Sequence, residues 1–297
     1  MKINTSMLWE DKAKSEVTYT TYLIEKTPEI KNKNPRPAVI ICGGGGFFKV
    51  TDREKEPVAL YFLNKGFQAI TLDYTVGKGS GYPKPLYDLA KMLLIVRENA
   101  QNWNIDTEKV IFIGFSAGAT HSASLANSWN EPFLQKYFDY PGETLKPSLV
   151  ILSYPLLDFN YQYEQVSVDP DNQMPTKLSP MPKIDFLTGA LKTVVGKELT
   201  TENLKEYSPI EHISPATVPT FIWGMQDDDC IYNNALLEYA KRLKDNGILY
   251  ELHMFALGEH GLSVINSNTQ AKFSDYEELG IWKKLCIQFI NRVLHLK

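Results

Sequence analysis

Strand-like and helix-like runs alternate along most of this chain. The strand-like runs are EVTYTTYLIE (16–25), AVIIC (38–42), FQAITLDY (67–74), KVIFIGF (109–115), SLVILSYP (148–155), PTFIWGM (219–225) and YELHMFA (250–256). Between them, apolar residues recur three and four positions apart, as at Leu86, Leu89, Ala90 and Leu93, and this spacing forms one stripe on a helix. Such alternation predicts a mostly parallel sheet with helices on both faces. We therefore expect one α/β domain over residues 1–297.

The alternation stops between residues 156 and 215. This segment contains aromatic residues and is interrupted by Pro170, Pro175, Pro180, Pro182 and Pro209. Long irregular insertions in compact domains are usually lids or binding loops. We expect an irregular cap over residues 156–215.

The bulk composition excludes several classes of protein. A net charge of −4 gives no electrostatic footprint for nucleic acid. No apolar run is long enough for a membrane span or a signal peptide, so we expect a cytoplasmic protein with no membrane partner. The three cysteines, Cys42, Cys230 and Cys286, are far apart, which indicates neither a disulfide framework nor a metal site.

The sequence GFSAG places Ser116 between a strand-like run and a helix-like run. A sharp strand-to-helix turn of the form G-x-S-x-G raises a serine above a sheet, and its glycines let neighbouring backbone pass closely. The alternative is an ordinary serine that caps a helix. The strand–turn–helix context favours Ser116 as a nucleophile.

A nucleophilic serine needs a base, and the base needs an orienting acid. In α/β-hydrolases these partners follow the serine in the order acid, then histidine. His260 lies just past a strand-like run between Gly258 and Gly261, in a loop free to turn toward the serine. The remaining histidines are set aside because they fall before the acid strand, inside a strand or next to the C terminus: His121, His212, His253 and His295.

Three aspartates follow the strand-like run that ends at Met225. Asp227 lies nearest the strand end, and we expect it to orient His260, with Asp228 as the alternative. Solvated loop charges or helix caps are the structural alternative for this triplet. It lacks the pattern of a calcium loop.

Four glycines, Gly43 to Gly46, follow the first core strand. The run matches neither a P-loop nor a dinucleotide fingerprint. It therefore serves either as a turn or as a source of N–H groups for a developing oxyanion.

Together these segments resemble the α/β-hydrolase superfamily, and within it small acetyl-xylan, feruloyl and carbohydrate acetyl esterases. GGGGFFKVTDREKEPVA is similar to the glycine-rich run and the R-E-x-E-P-x-A segment of those esterases, and YPKPLYDLAKMLLIVRENAQNWNID to their Y-P-x-P-L-x-D region. The family's G-x-x-D acid motif falls on Gly224 to Asp227. The resemblance implies an oxyanion hole formed by the N–H groups of Gly45, Gly46 and Ala117.

These inferences predict a serine ester hydrolase that uses Ser116, His260 and Asp227 and needs no cofactor or metal. The resemblance favours a small-molecule ester with a short acyl group, acetyl above all, on a small or sugar alcohol. It also suggests a homodimer, because dimers are common among such enzymes. The alternatives are a serine aminopeptidase of the prolyl-oligopeptidase type and a non-catalytic binding protein on the same fold.

Overall fold

One eight-stranded sheet forms the centre of the protein. The computed structural model describes residues 1–10, 16–29, 34–169, 180–267, 269 and 273–296. The sheet order is β1-β2-β4-β3-β5-β6-β7-β8; β2 pairs antiparallel with both β1 and β4, and all the other neighbouring pairs are parallel. The strands are β1 (Lys2–Met7), β2 (Thr18–Leu23), β3 (Arg36–Cys42), β4 (Gln68–Asp73), β5 (Ile105–Phe115), β6 (Leu149–Ser153), β7 (Thr220–Met225) and β8 (Tyr250–Phe255).

Ten α-helices occur in the described part of the chain. They are α1 (Glu56–Asn64), α2 (Lys84–Glu98), α3 (Ala100–Trp103), α4 (Ala117–Ser128), α5 (Pro132–Phe138), α6 (Phe159–Val168), α7 (Lys183–Val195), α8 (Thr201–Tyr207), α9 (Asn234–Asp245) and α10 (Trp282–Val293). None of these helices combines the length and the apolar character needed to cross a bilayer.

Helices cover both faces of the sheet, as the alternating sequence predicts. Along β3, Ala38 and Ile40 pack into the cluster that contains α2, α4 and α9. Val39 and Ile41 point the other way, into the cluster that contains α1 and α10, because successive strand residues face opposite sides of a sheet. The predicted α/β-hydrolase architecture is confirmed.

Strand β1 has no counterpart in the predicted elements. Its residues are mostly exposed, and it pairs antiparallel with β2 at the edge of the sheet. Because residues on both faces of β1 are exposed, the strand has no alternation of buried and exposed side chains, and the hydrophobic pattern could not reveal it.

Helices form most of the described part of the cap. Helices α6, α7 and α8 lie within residues 156–215, and the expectation of an irregular segment is wrong there. Pro182 immediately precedes α7, and Pro209 begins a 3-10 turn, positions where proline's missing N–H costs nothing. Pro170 and Pro175 lie outside the described residues.

A third hydrophobic cluster joins the cap to the sheet. Leu187, Leu191 and Val194 of α7 pack with Phe159 of α6 and with Ala117, the first residue of α4. The cap is therefore attached directly above the turn that carries Ser116.

Candidate active site

Ser116 occupies a tight turn between β5 and α4. Its φ and ψ are 50° and −119°, a strained backbone for a residue with a side chain. A Cβ on Gly114 would lie 2.4 Å from the Ala119 backbone, and one on Gly118 would lie 2.1 Å from the Cys42 carbonyl oxygen. Both flanking glycines are therefore required by close backbone approach, as the G-x-S-x-G spacing predicts.

His260 follows β8 in a loop and reaches Ser116. Its Nε2 lies 2.8 Å from the Ser116 Oγ, and its side chain is only 6% exposed. The structure thus brings together two residues that are 144 positions apart in the sequence. The other four histidines are not among the residues that line the cleft beside Ser116.

Asp228, rather than Asp227, contacts the imidazole. The His260 Nδ1 lies 2.8 Å from Oδ2 and 3.1 Å from Oδ1 of Asp228, whose side chain is fully buried. This contact fixes the ring proton on Nδ1 and leaves Nε2 to accept the proton of the serine hydroxyl. The backbone N–H groups of Cys230 and Ile231 also donate to Asp228 Oδ1.

The prediction that Asp227 orients His260 is wrong. Asp227 Oδ1 instead accepts the N–H of Gly258 at 2.7 Å, and Asp229 Oδ1 accepts the N–H of His260 at 3.0 Å. Beyond the end of β7 the chain is no longer extended, so distance from the strand end does not determine which carboxylate faces the imidazole.

Opposing effects act on the pKa of His260. Burial lowers this pKa, but the charge and hydrogen bond of Asp228, together with the charges of Glu54 and Asp229, raise it above the ordinary value for histidine. The net direction is upward. The surrounding carboxylates therefore stabilise an imidazolium, the form that a general base passes through during catalysis.

The four glycines are not equivalent. The N–H of Gly44 donates to Glu54 Oε2 at 2.7 Å, and a Cβ at Gly44 would lie 2.8 Å from the Ser116 Cβ. Gly45 and Gly46 have φ values of 137° and 64°, and both line the cleft beside Ser116 and Ala117. No hydrogen-bond acceptor for the N–H groups of Gly45, Gly46 or Ala117 occurs among the described residues.

Glu54 and Tyr154 connect the glycine loop to the histidine loop. Buried Glu54 accepts from Gly44, from the Thr51 hydroxyl at 2.6 Å and from the Tyr154 hydroxyl at 2.7 Å. The Tyr154 oxygen in turn accepts the N–H of Ser263 at 2.9 Å, and its ring lies edge-on to His260 with centroids 5.0 Å apart. Sequence reasoning missed both roles, although the R-E-x-E-P segment contains Glu54.

A cleft of about 590 Å³ opens beside Ser116. Apolar side chains from the cap and from the loop after β7 form one wall, among them Leu156, Leu187, Ala190 and Ile231. At the mouth, the rings of Phe48 and Phe186 meet edge to face at 5.8 Å, and Phe48 is 42% exposed.

The sheet topology, the strained serine turn and the serine–histidine–aspartate contacts define an α/β-hydrolase fold with its site at the carboxyl ends of the parallel strands. The BD-FAE family model matches residues 26–243, which is more than half of the chain. The chain belongs to the BD-FAE family.

Two curated proteins are similar to the chain over more than three quarters of its length. The chain is 29% identical over 239 residues to endo-1,4-beta-xylanase B of Butyrivibrio fibrisolvens, covering 78% of this chain and 33% of that protein. It is 25% identical over 254 residues to an acetylxylan esterase of Xylanibacter ruminicola, covering 83% of this chain and 45% of that protein. The chain thus spans less than half the length of either relative.

Among solved structures, an acetyl ester-xyloside bifunctional hydrolase from Caldicellulosiruptor lactoaceticus superposes with a TM-score of 0.76 at 24% identity. The alignment covers 99% of this chain and 97% of that structure, which shows that the two share their fold.

Proposed function

We propose that this protein is a serine ester hydrolase with Ser116 as nucleophile, His260 as general base and Asp228 as the orienting acid. The observation that carries the proposal is the continuous contact from Ser116 Oγ through both nitrogens of His260 to Asp228, with each step at 2.8 Å. A hydroxyl within hydrogen-bond reach of a buried, oriented imidazole is the arrangement that acyl transfer requires.

In the proposed reaction, His260 takes the proton of Ser116 as its oxygen attacks the ester carbonyl. We propose that the N–H groups of Gly45, Gly46 and Ala117 donate to the negative oxygen of the tetrahedral intermediate. Their lack of protein acceptors supports this role, and loss of one such donor costs about 10²- to 10³-fold in kcat. His260 then protonates the leaving alcohol and activates the water that cleaves the acyl-enzyme.

For the substrate, we propose a short acyl group, acetyl above all, on a sugar alcohol. Two relatives are named for xylan or acetylated xylan. The exposed ring of Phe48 at the cleft mouth offers an apolar face against which a pyranose can pack.

The test compares p-nitrophenyl acetate with the decanoate, and acetylated with feruloylated xylo-oligosaccharides. We expect faster release from the acetyl ester in both pairs and loss of activity in Ser116→Ala, with unchanged circular dichroism. Equal or faster cleavage of the decanoate would exclude the short-acyl preference. Activity retained in Ser116→Ala would exclude the serine mechanism.

A further inference from the structure

Among the residues that the structure describes, Arg53 is the one arginine whose guanidinium has no hydrogen-bond acceptor. All five arginines lie in the described ranges, and four of them donate at 2.9 to 3.4 Å: Arg36 to Gly66, Arg97 to Lys146, Arg242 to Ile210, and Arg292 to Glu251. The Nε atoms of Arg53 and Arg97 are both buried without a partner in the described part of the chain, but Arg97 has an acceptor for another guanidinium nitrogen. Unpaired buried donors are rare and need an explanation.

None of the ion pairs in the described part of the chain includes Arg53. Glu54 directs its oxygens to Gly44, Thr51 and Tyr154. Asp52 is almost fully exposed and pairs with Lys55 at 3.0 Å. The guanidinium N–H groups of Arg53 are therefore available to an anion from outside the protein.

Arg53 lies close to the residues that we propose carry out the reaction. Arg53 is half-buried and lines the same cleft as Ser116 and His260. Its Nη2 lies 2.3 Å from the point that a Cβ on Gly261 would occupy, so the guanidinium covers the residue that follows the proposed base. Because His260 must protonate the leaving oxygen, the alcohol part of an ester leaves on this side of Ser116.

We propose that Arg53 binds a carboxylate carried by the alcohol part of the substrate, such as that of a sugar acid. This inference rests on the proposed esterase function. A planar guanidinium matches the two oxygens of a carboxylate, and such charge-assisted pairs are stronger than neutral hydrogen bonds. Arg53 is in this view a specificity residue that selects acidic alcohols.

The kinetic test uses acetyl esters that differ only in this group, 3-acetoxybenzoate and 3-acetoxybenzamide. In Arg53→Gln, we expect the ratio of kcat/KM for carboxylate over amide to fall about 10- to 100-fold, the contribution typical of a hydrogen bond to a charged group. The change should appear in KM for the carboxylate, because a contact remote from the reacting bond stabilises substrate and transition state alike.

Lys49→Gln is the matched control. Lys49 lines the same cleft but is exposed, so the substitution removes one positive charge without removing the half-buried guanidinium. We expect the ratio to change less than about twofold, because exposed charges are screened by solvent and salt. A ratio unchanged in Arg53→Gln, or lowered equally in Lys49→Gln, would overturn the proposal.

A binding measurement separates this inference from the esterase proposal. Calorimetry on Ser116→Ala should show tighter binding of 3-hydroxybenzoate than of 3-hydroxybenzamide, and Arg53→Gln in that background should abolish the difference. If neither ester is cleaved but the difference exists, the esterase proposal fails and the role of Arg53 stands. If the esters are cleaved and no difference exists, the role of Arg53 fails.

Discussion

The three aspartates after β7 hold the histidine loop at three different atoms. Asp227 accepts from the Gly258 N–H, Asp229 from the His260 N–H, and Asp228 contacts the imidazole itself. Adjacent residues of one type thus have separate roles because each side chain leaves the backbone in its own direction. Two of these contacts fix the loop, and one acts on the ring.

Asp228→Asn and Asp227→Asn are expected to differ strongly in activity. At position 228 the amide NH₂ cannot accept the Nδ1 proton, which favours the wrong tautomer, so kcat should fall about 10³- to 10⁴-fold. At position 227 an amide oxygen can still accept the Gly258 N–H, and we expect less than a tenfold loss. The measurement is kcat for p-nitrophenyl acetate in the two variants. A larger loss of kcat in Asp227→Asn than in Asp228→Asn would exclude Asp228 as the acid.

The pH profile should report the raised pKa of His260. In the proposed mechanism the neutral imidazole is the base, so kcat/KM should rise through a midpoint above about 6.5, the ordinary histidine value. Since Asp228 raises this pKa, the residual activity of Asp228→Asn should have its acidic limb at lower pH. An unshifted limb in that variant would contradict this electrostatic account.

At the scale of elements, the site depends on loops from distant parts of the chain that are joined by one buried carboxylate. Glu54 reaches the glycine loop directly and the histidine loop through Tyr154 and Ser263. Buried charges are stable only where their hydrogen bonds are satisfied. Glu54 therefore couples the shape of the proposed oxyanion hole to the position of His260.

Glu54→Gln should affect stability and catalysis together. The glutamine has one acceptor oxygen where the carboxylate has two, so the Gly44 N–H or the Tyr154 hydroxyl loses its partner. We expect the free energy of unfolding to fall by about 2–3 kcal/mol and kcat to fall at least tenfold. Urea unfolding and steady-state rates measure the two effects.

Tyr154→Phe can be combined with Glu54→Gln in a double-mutant cycle. It retains the ring beside His260 and removes only the hydroxyl. Because the two residues share one hydrogen bond, the losses in the double variant should be less than additive. Strict additivity would show that Glu54 and Tyr154 act independently.

The sequence predicts those elements whose cause is local. Core strands such as β5 and the turn at Ser116 follow from apolar runs and glycine spacing, and chain order identifies His260. Strand β1 has no alternation of buried and exposed residues from which it could be predicted. The prolines of the cap indicate that a regular element is interrupted, but they do not indicate that a new helix begins beside them. Choosing among Asp227, Asp228 and Asp229 depends on backbone directions in a turn, which spacing does not encode.

At the scale of the whole molecule, His121 links stability to acidity. Its ring lies in α4 among Phe47, Tyr74 and Tyr82, and burial lowers its pKa to about 3. In the unfolded chain this pKa returns to about 6.5. Between these two values the unfolded state binds one proton more than the folded state, so stability decreases as the pH falls.

We expect His121→Asn to reduce this acid sensitivity. Below about pH 6, a single such group lowers the free energy of unfolding by about 1 kcal/mol per pH unit. The variant should therefore show a shallower slope in urea unfolding between pH 4.5 and 7, even if it is less stable at neutral pH. An identical slope in both proteins would mean that other groups dominate acid unfolding.

The cluster that joins the cap to the sheet has a consequence for how substrate is delivered. Within the described part of the cap, the apolar side chains of α6 and α7 are packed against Ala117 and Leu156, and the cleft is already open beside Ser116. Opening of these helices at an oil–water interface would therefore expose little additional apolar surface near the cleft. The rate should follow simple saturation with dissolved ester and show no jump when the substrate begins to form droplets.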